Sequence, residues 1–203
     1  MTAARIWLSP LLVTLCLGAL GIPFGCAGPP PAKRAQSDRT LAETAAAART
    51  AFQQDRIDEA ATLYTLALKR ARALDQPSAI GDAAYNLAAC LLRRHEYERA
   101  SALLAEANHE LARSDAPLAD VLLLQARTAY LAGTGLAAGN FIHQLRTDSR
   151  SQPSAAHLGQ AAMLEGQMAC DRGDWVAATD LLQKARDVLG PEADALLQAQ
   201  LVA

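Results

Sequence analysis

Apolar residues in this chain recur at helical spacing, and the pattern they make repeats. Three segments align: "DRIDEAATLYTLAL", "HEYERASALLAEAN" and "GDWVAATDLLQKAR". Each opens on a turn, followed by an aromatic or aliphatic residue and an alanine three positions on. A large apolar residue comes four later, and a small one three after that. The alanines are Ala60, Ala100 and Ala178. The stretch "LAGTGLAAG" supplies the missing member, with Gly133 opening its turn and Ala138 in the alanine place. Successive alanines then lie 40, 38 and 40 residues apart. A period of that size marks stacked helical hairpins. The pattern predicts an all-α chain with eight repeat helices.

The physical reason lies in the small residues. Two antiparallel helices cross closely only where side chains are short. Ala48 with Ala60, Ala88 with Ala100, and Gly166 with Ala178 supply that contact, and Ala138 holds the same place in the third unit. Tyr64, Leu104 and Leu182 fill the space beside each crossing. One hairpin cannot bury its apolar face alone, so neighbours must stack. Ser37 or Asp38 is placed to cap the first helix, Ser114 or Asp115 the fifth, and Ser151 the seventh. Pro77, Pro117, Pro153 and Pro191 fall where a first-turn proline is tolerated.

These motifs resemble the tetratricopeptide repeat, whose pattern runs W-x₂-L-G-x₂-Y, then A-x₃-F, then P. The fourth unit carries it most fully, with Gly166, the turn Gly173-Asp174-Trp175, then Ala178, Leu182, Ala185 and Gly190-Pro191. The second has Leu87-Ala88, Leu91, Ala100, Leu104 and Ala107, and the first has Ala47-Ala48, Ala60, Tyr64 and Ala67. In the third, Ala126 stands for the glycine, with Ile142 and Leu145 following. The leading tryptophan is absent from every unit; Thr44, Ala84, Leu122 and Ala162 stand there. The units also exceed the family's usual length, which suggests an added turn in each second helix. The resemblance implies a right-handed α-solenoid of about four hairpins, over residues 40–75, 78–114, 116–150 and 153–190. A capping helix over 191–203 would cover the end of the stack. It also implies a groove lined by the first helix of each repeat. By that geometry the groove holds Arg49, Phe52 and Gln53, then Asp82, Tyr85, Ala89 and Arg93. Asp120, Leu123, Arg127 and Tyr130 follow, and then Gln160, Met163, Gln167 and Asp171. Mixed aromatic and charged residues suit an extended peptide or a partner helix. Arg49, Arg93 and Arg127 are placed to receive a carboxylate.

The N-terminus follows different rules. Arg5 precedes an apolar run, Ile6 to Leu20, broken by Pro10. As a helix that run would span about 22 Å at ~1.5 Å per residue, short of the ~30 Å hydrocarbon core. It reads as a signal peptide over residues 1–25. Gly25-Cys26 resembles the cleavage site of bacterial lipoproteins, although Pro23 and Phe24 stand where that site usually has an aliphatic and then a small residue. That resemblance implies lipidation at Cys26, and Ala27 after it implies the outer membrane, facing the periplasm. Ordinary cleavage after Ala27 and an uncleaved anchor are the alternatives. Residues 26–37, with their Gly-Pro-Pro-Pro, read as a flexible tether, and 38–203 as the repeat domain. Cys90 and Cys170 lie too far apart in a repeat stack for a disulfide and read as small buried residues.

Composition narrows the function. The chain has 203 residues, is 51% hydrophobic and only 4% aromatic, and carries a formal net charge of -2. That balance argues against nucleic acid as a partner. The glycines of "LAGTGLAAG" match a dinucleotide loop only superficially. They follow a helical pattern where such a loop needs a strand, and Asp148 comes too soon after them to serve as its acid. "HEYER" begins like a zinc-protease helix, but Arg99 stands where the second histidine should be. Neither a nucleophile with a base nor metal-ligand spacing is evident. The expectation is therefore a scaffold without cofactor or metal, docking an envelope protein or peptide. Capture of a small molecule or glycan is the alternative, and catalysis or a purely structural role stands further off.

Overall fold

The computed structural model describes residues 31–190, with side chains from Arg39 onward. Among these residues the protein is all-α. Its helices are α1 (Pro31–Gln53), α2 (Ile57–Ala73), α3 (Pro77–Arg93) and α4 (Tyr97–Arg113), then α5 (Ala119–Leu131), α6 (Gly135–Thr147), α7 (Ala155–Asp171) and α8 (Trp175–Leu189). They pack as four hairpins, α1–α2, α3–α4, α5–α6 and α7–α8, each set against the next in chain order. Cys26, the signal segment and residues 191–203, with Pro191, lie outside the described residues.

One turn device makes most of the corners. At the ends of α1 to α5 and of α7, a residue with positive φ reverses the chain. These residues are Asp55, Asp75, His95, Asp115, Gly133 and Gly173. At each, that residue's N–H and the next one's donate back into the last helical turn, as Asp55 does to Phe52 and Arg56 to Ala51. This is the Schellman pattern, which satisfies carbonyls the helix leaves open. Aspartate and histidine tolerate the left-handed region better than most side chains, so only two of the six need be glycine.

The predicted crossings form. Ala48, Ala60, Ala88, Ala100 and Ala138 are fully buried, and Gly166 and Ala178 are buried with them. Tyr64, Leu104 and Ile142 are buried beside the alanines. A Cβ on Gly166 would meet Leu182 Cδ2 at 2.8 Å, so a larger residue there requires the leucine to shift. A second close pair escaped the sequence reading. Gly81 and Gly159 each hold the fifth position of their helix, and Leu111 and Leu189 the fifteenth of theirs. A Cβ on either glycine would lie 2.6 Å from its leucine's Cγ.

Some expectations need correction. The helix begins at Pro31, inside the supposed tether, because a first-position proline loses no helical hydrogen bond and Ala-Lys-Arg-Ala-Gln propagates readily. The added length is not confined to second helices: α3 and α4 both have 17 residues, and α5 and α6 both have 13. Ser114 ends α4 and Asp115 makes the turn, while Leu118 opens α5 without a side-chain cap. Pro117 and Pro153 precede their helices; only Pro77 sits at the first turn as predicted. Ser154, not Ser151, caps α7, in a reciprocal box with His157. Ser151 is buried and donates to the Leu145 carbonyl at 2.5 Å.

The seams between hairpins change chemistry along the chain. Two turns past the packing alanine, the second helices carry Leu68, Asn108 and Arg146. The facing first helices carry Leu87, Gln125 and Glu165, each one residue before its packing position. Leu68 and Leu87 are both buried. Asn108 donates to Gln125 Oε1 at 3.1 Å. Arg146 grips Glu165 through two bonds, at 2.7 and 2.6 Å. At this one register position, leucines thus give way to an amide pair and then to an ion pair, although ion pairs such as Arg72–Glu106 and Arg94–Asp58 also bridge the first two hairpins.

Candidate functional site on the first-helix face

The first helices α1, α3, α5 and α7 share one face, and most of the predicted groove residues fall on it. Arg49 is exposed on α1, where its charge reaches Asp82 on α3. Partial burial pushes the Asp82 carboxyl above its usual range, and Arg49 pulls it part of the way back. Tyr85 is half-buried against the core; burial, then the nearby Asp120 charge, pushes its hydroxyl up to about 12. Asp120 on α5 meets His157 Nε2 on α7 at 3.0 Å. His157 Nδ1 accepts from the Ser154 backbone N–H at 3.0 Å, which leaves Nε2 as the donor toward Asp120. The Asp120–His157 hydrogen bond ties α5 to α7.

Arginines occupy the other end of the face. Arg93 donates to Asp55 on the α1–α2 turn at 2.9 Å. Arg127 is half-buried and has no hydrogen-bond or ion-pair partner among the described residues. Burial lowers its affinity for the proton, and the neighbouring Arg93 charge lowers it further. A guanidinium partly removed from water beside another cation is destabilised unless an anion joins it. Tyr130 donates to Asp171 Oδ2 at 2.8 Å, and burial with that bond pushes its hydroxyl up to about 12.

The remaining predicted residues separate. Phe52 packs against the core, while Gln53 is exposed. Gln167 is half-buried and already engaged. Met163 does not belong to the groove: it is fully buried with Ala162 and Ala185 against Leu182. Helical register alone places it beside Tyr85 and Leu123, but the α7–α8 hairpin takes it into its own small core. Cys90 is buried as expected, and burial pushes its thiol up to about 11. Cys170 is only half-buried. His95 lies in a turn with its Nδ1 2.7 Å from the Tyr97 hydroxyl. Among the described residues no group of three or more His, Cys, Asp or Glu side chains could hold a metal. No described helix is long and apolar enough to cross a membrane.

A cleft of about 940 Å³ opens between the third and fourth hairpins, and the sequence reading missed it. The glycines of "LAGTGLAAG" help to make it. Gly133 turns the chain with φ +76°, while Gly135 and Gly139 lie on α6 and line the cleft. A glycine at the start of α6 replaces the Ile57, Tyr97 and Trp175 of the other second helices. The missing side chains leave the space open.

These features define a class: an all-α protein of stacked helical hairpins with one face shared by its first helices. No protein-family model matches the chain, and no curated protein does. Among solved structures it is similar to BtubC (BKLC) from P. vanneervenii, with 20% identity and a TM-score of 0.63. The match covers 75% of this chain, which spans 64% of the length of that one. At that identity the likeness shows the fold alone.

Proposed function

We propose that this protein is a tetratricopeptide-type scaffold that docks an extended acidic segment of a partner protein along its first-helix face. In this reading it is a lipoprotein, anchored through Cys26 to the bacterial outer membrane and facing the periplasm, and its partner is another envelope protein. The observation that carries the proposal is Arg127, half-buried beside Arg93 with no carboxylate of its own. A partner's carboxylate would complete it with a charge-assisted pair. Ser154, His157 and Asp120 form a hydrogen-bonded chain on this face, with Ser154 Oγ 2.8 Å from His157 Nδ1 and His157 Nε2 3.0 Å from Asp120. The serine caps α7 and we read the chain as structural, so binding is the chemistry the face supports best.

The test is site-specific photocrosslinking in cells. A crosslinker at Ala89, on α3 one turn before Arg93, is expected to trap one defined partner, and a crosslinker at Thr62 on α2 is not. Arg127→Glu should abolish the Ala89 adduct. Equal adducts from both positions, or none from Ala89, would contradict the reading. Cys26→Ser is expected to release the protein from membranes; retention of the variant there would overturn the anchor.

A further inference from the structure

We infer that the cleft between the third and fourth hairpins is part of the docking path and receives an apolar side chain flanked by a carboxylate from the partner segment. This rests on the peptide-docking reading and extends it to a region the first-helix geometry does not include. The cleft is bounded by α6 on one side and by the α7–α8 hairpin on the other.

Its chemistry is lopsided. Of the two carboxylates in its lining, Glu165 holds Arg146, while Asp171 accepts from the neutral Tyr130 hydroxyl and keeps its charge. Arg172 and Lys184 also line the cleft, are exposed, and have no side-chain hydrogen bond or ion pair among the described residues. Three cations, Arg146, Arg172 and Lys184, thus face two carboxylates, which leaves the lining with a net positive charge. The start of the α6 wall is apolar and shallow, with Asn140 and Arg146 further along it: Leu136 is 85% exposed, and a Cβ on Gly139 would meet nothing within 4 Å. A leucine so exposed beside glycines leaves room for a second apolar side chain.

Continuity fixes the kind of occupant. Tyr130 and Asp171 belong to the first-helix face and also line the cleft. Tyr130 follows Arg127 by three residues on α5, so a chain bound at Arg127 is within one helical turn of the cleft lining. The opening to solvent suits an extended chain better than a small molecule, which usually needs enclosure over most of its surface. Charge complementarity makes the chain acidic.

The test uses peptide display against the full-length protein in detergent, followed by fluorescence anisotropy of selected peptides. The expected consensus is an apolar residue beside Asp or Glu. Three variants then locate the site. Gly139→Phe fills the cleft from an open helical position. Arg172→Ala with Lys184→Ala removes two exposed cations that hold nothing in place. Arg127→Ala reports on the first-helix face. The cleft variants are each expected to weaken binding by about tenfold or more, and raised salt should shrink the effect of the double variant. Binding sensitive to Arg127→Ala but indifferent to both cleft variants would overturn the cleft and leave the face standing. Binding lost only in the cleft variants would uphold the cleft and remove the face. Selection of no peptide, or of basic peptides, would overturn both.

Discussion

The first two hairpins and the last two are built on one template, yet they solve the problem of stacking differently. In the first half, α2 packs along α3 with Ala61, Leu68, Ala84 and Leu87 buried, and the Arg72–Glu106 and Arg94–Asp58 ion pairs bridge the same hairpins at the surface. In the second, α6 and α7 meet along a short stretch, with the Arg146–Glu165 pair across the seam and a cleft beside it. The second residue of each second helix changes likewise: Asp58 and Glu98 give way to exposed Leu136 and Val176. A fold that needs neighbours for stability does not need every seam to be equally tight. The first half can carry the stack while the second keeps an opening with unmatched charge.

That contrast can be broken most forcefully by giving the first seam the chemistry of the third. Leu68→Arg would bury an unpaired charge, and urea unfolding should show a loss of about 3–5 kcal/mol. A loss under about 1 kcal/mol would mean that the two seams are equivalent.

The close pairs inside the hairpins come next. Gly81→Ala should destabilise by about 1–3 kcal/mol through overpacking against Leu111. In a Leu111→Ala background the same change should become neutral or stabilising, because alanine propagates a helix better than glycine once it has room. Gly159 and Leu189 should behave alike. The sign reversal in a double-mutant cycle separates packing from helix propensity.

The third seam should barely respond. Arg146→Leu with Glu165→Leu removes an ion pair whose side chains are 41% and 25% exposed. Solvent screening holds its contribution to about 1 kcal/mol or less, so the double variant should unfold near the wild-type midpoint. Thiol labelling at pH 8 gives a further contrast, read by peptide mass. Half-buried Cys170 should react in the native state, and Cys90 only on unfolding. With its thiol near 11, about one Cys90 in a thousand is thiolate at that pH.

Much of this fold could be read directly. The alanine period located all four hairpins because a close helix crossing tolerates no larger residue, and that demand leaves a mark in the sequence. Gly133 was legible as a turn because a left-handed corner favours glycine. The corners were harder: Asp115 looks like a cap but makes a left-handed turn, since aspartate suits both roles. Pro31 looked like tether, yet a proline can open a helix as easily as precede one. Helical register put Arg49, Asp82, Arg93, Arg127 and Tyr130 on first helices, where the structure has them. It also turned Met163 outward, and there it failed, because register cannot tell an outward side chain from one drawn into its own hairpin. The cleft left no positive mark at all. It arises from what Gly135 and Gly139 lack, and an absent side chain gains meaning only once its neighbours are placed.

Native-state hydrogen exchange tests the unequal seams most directly. Amides of α2, α3 and α4 should exchange only through openings near the global unfolding free energy, whereas α7 and α8 should open together at a lower cost. Exchange of all four hairpins at one common free energy, or earlier opening of α2 and α3 than of α7 and α8, would contradict the account.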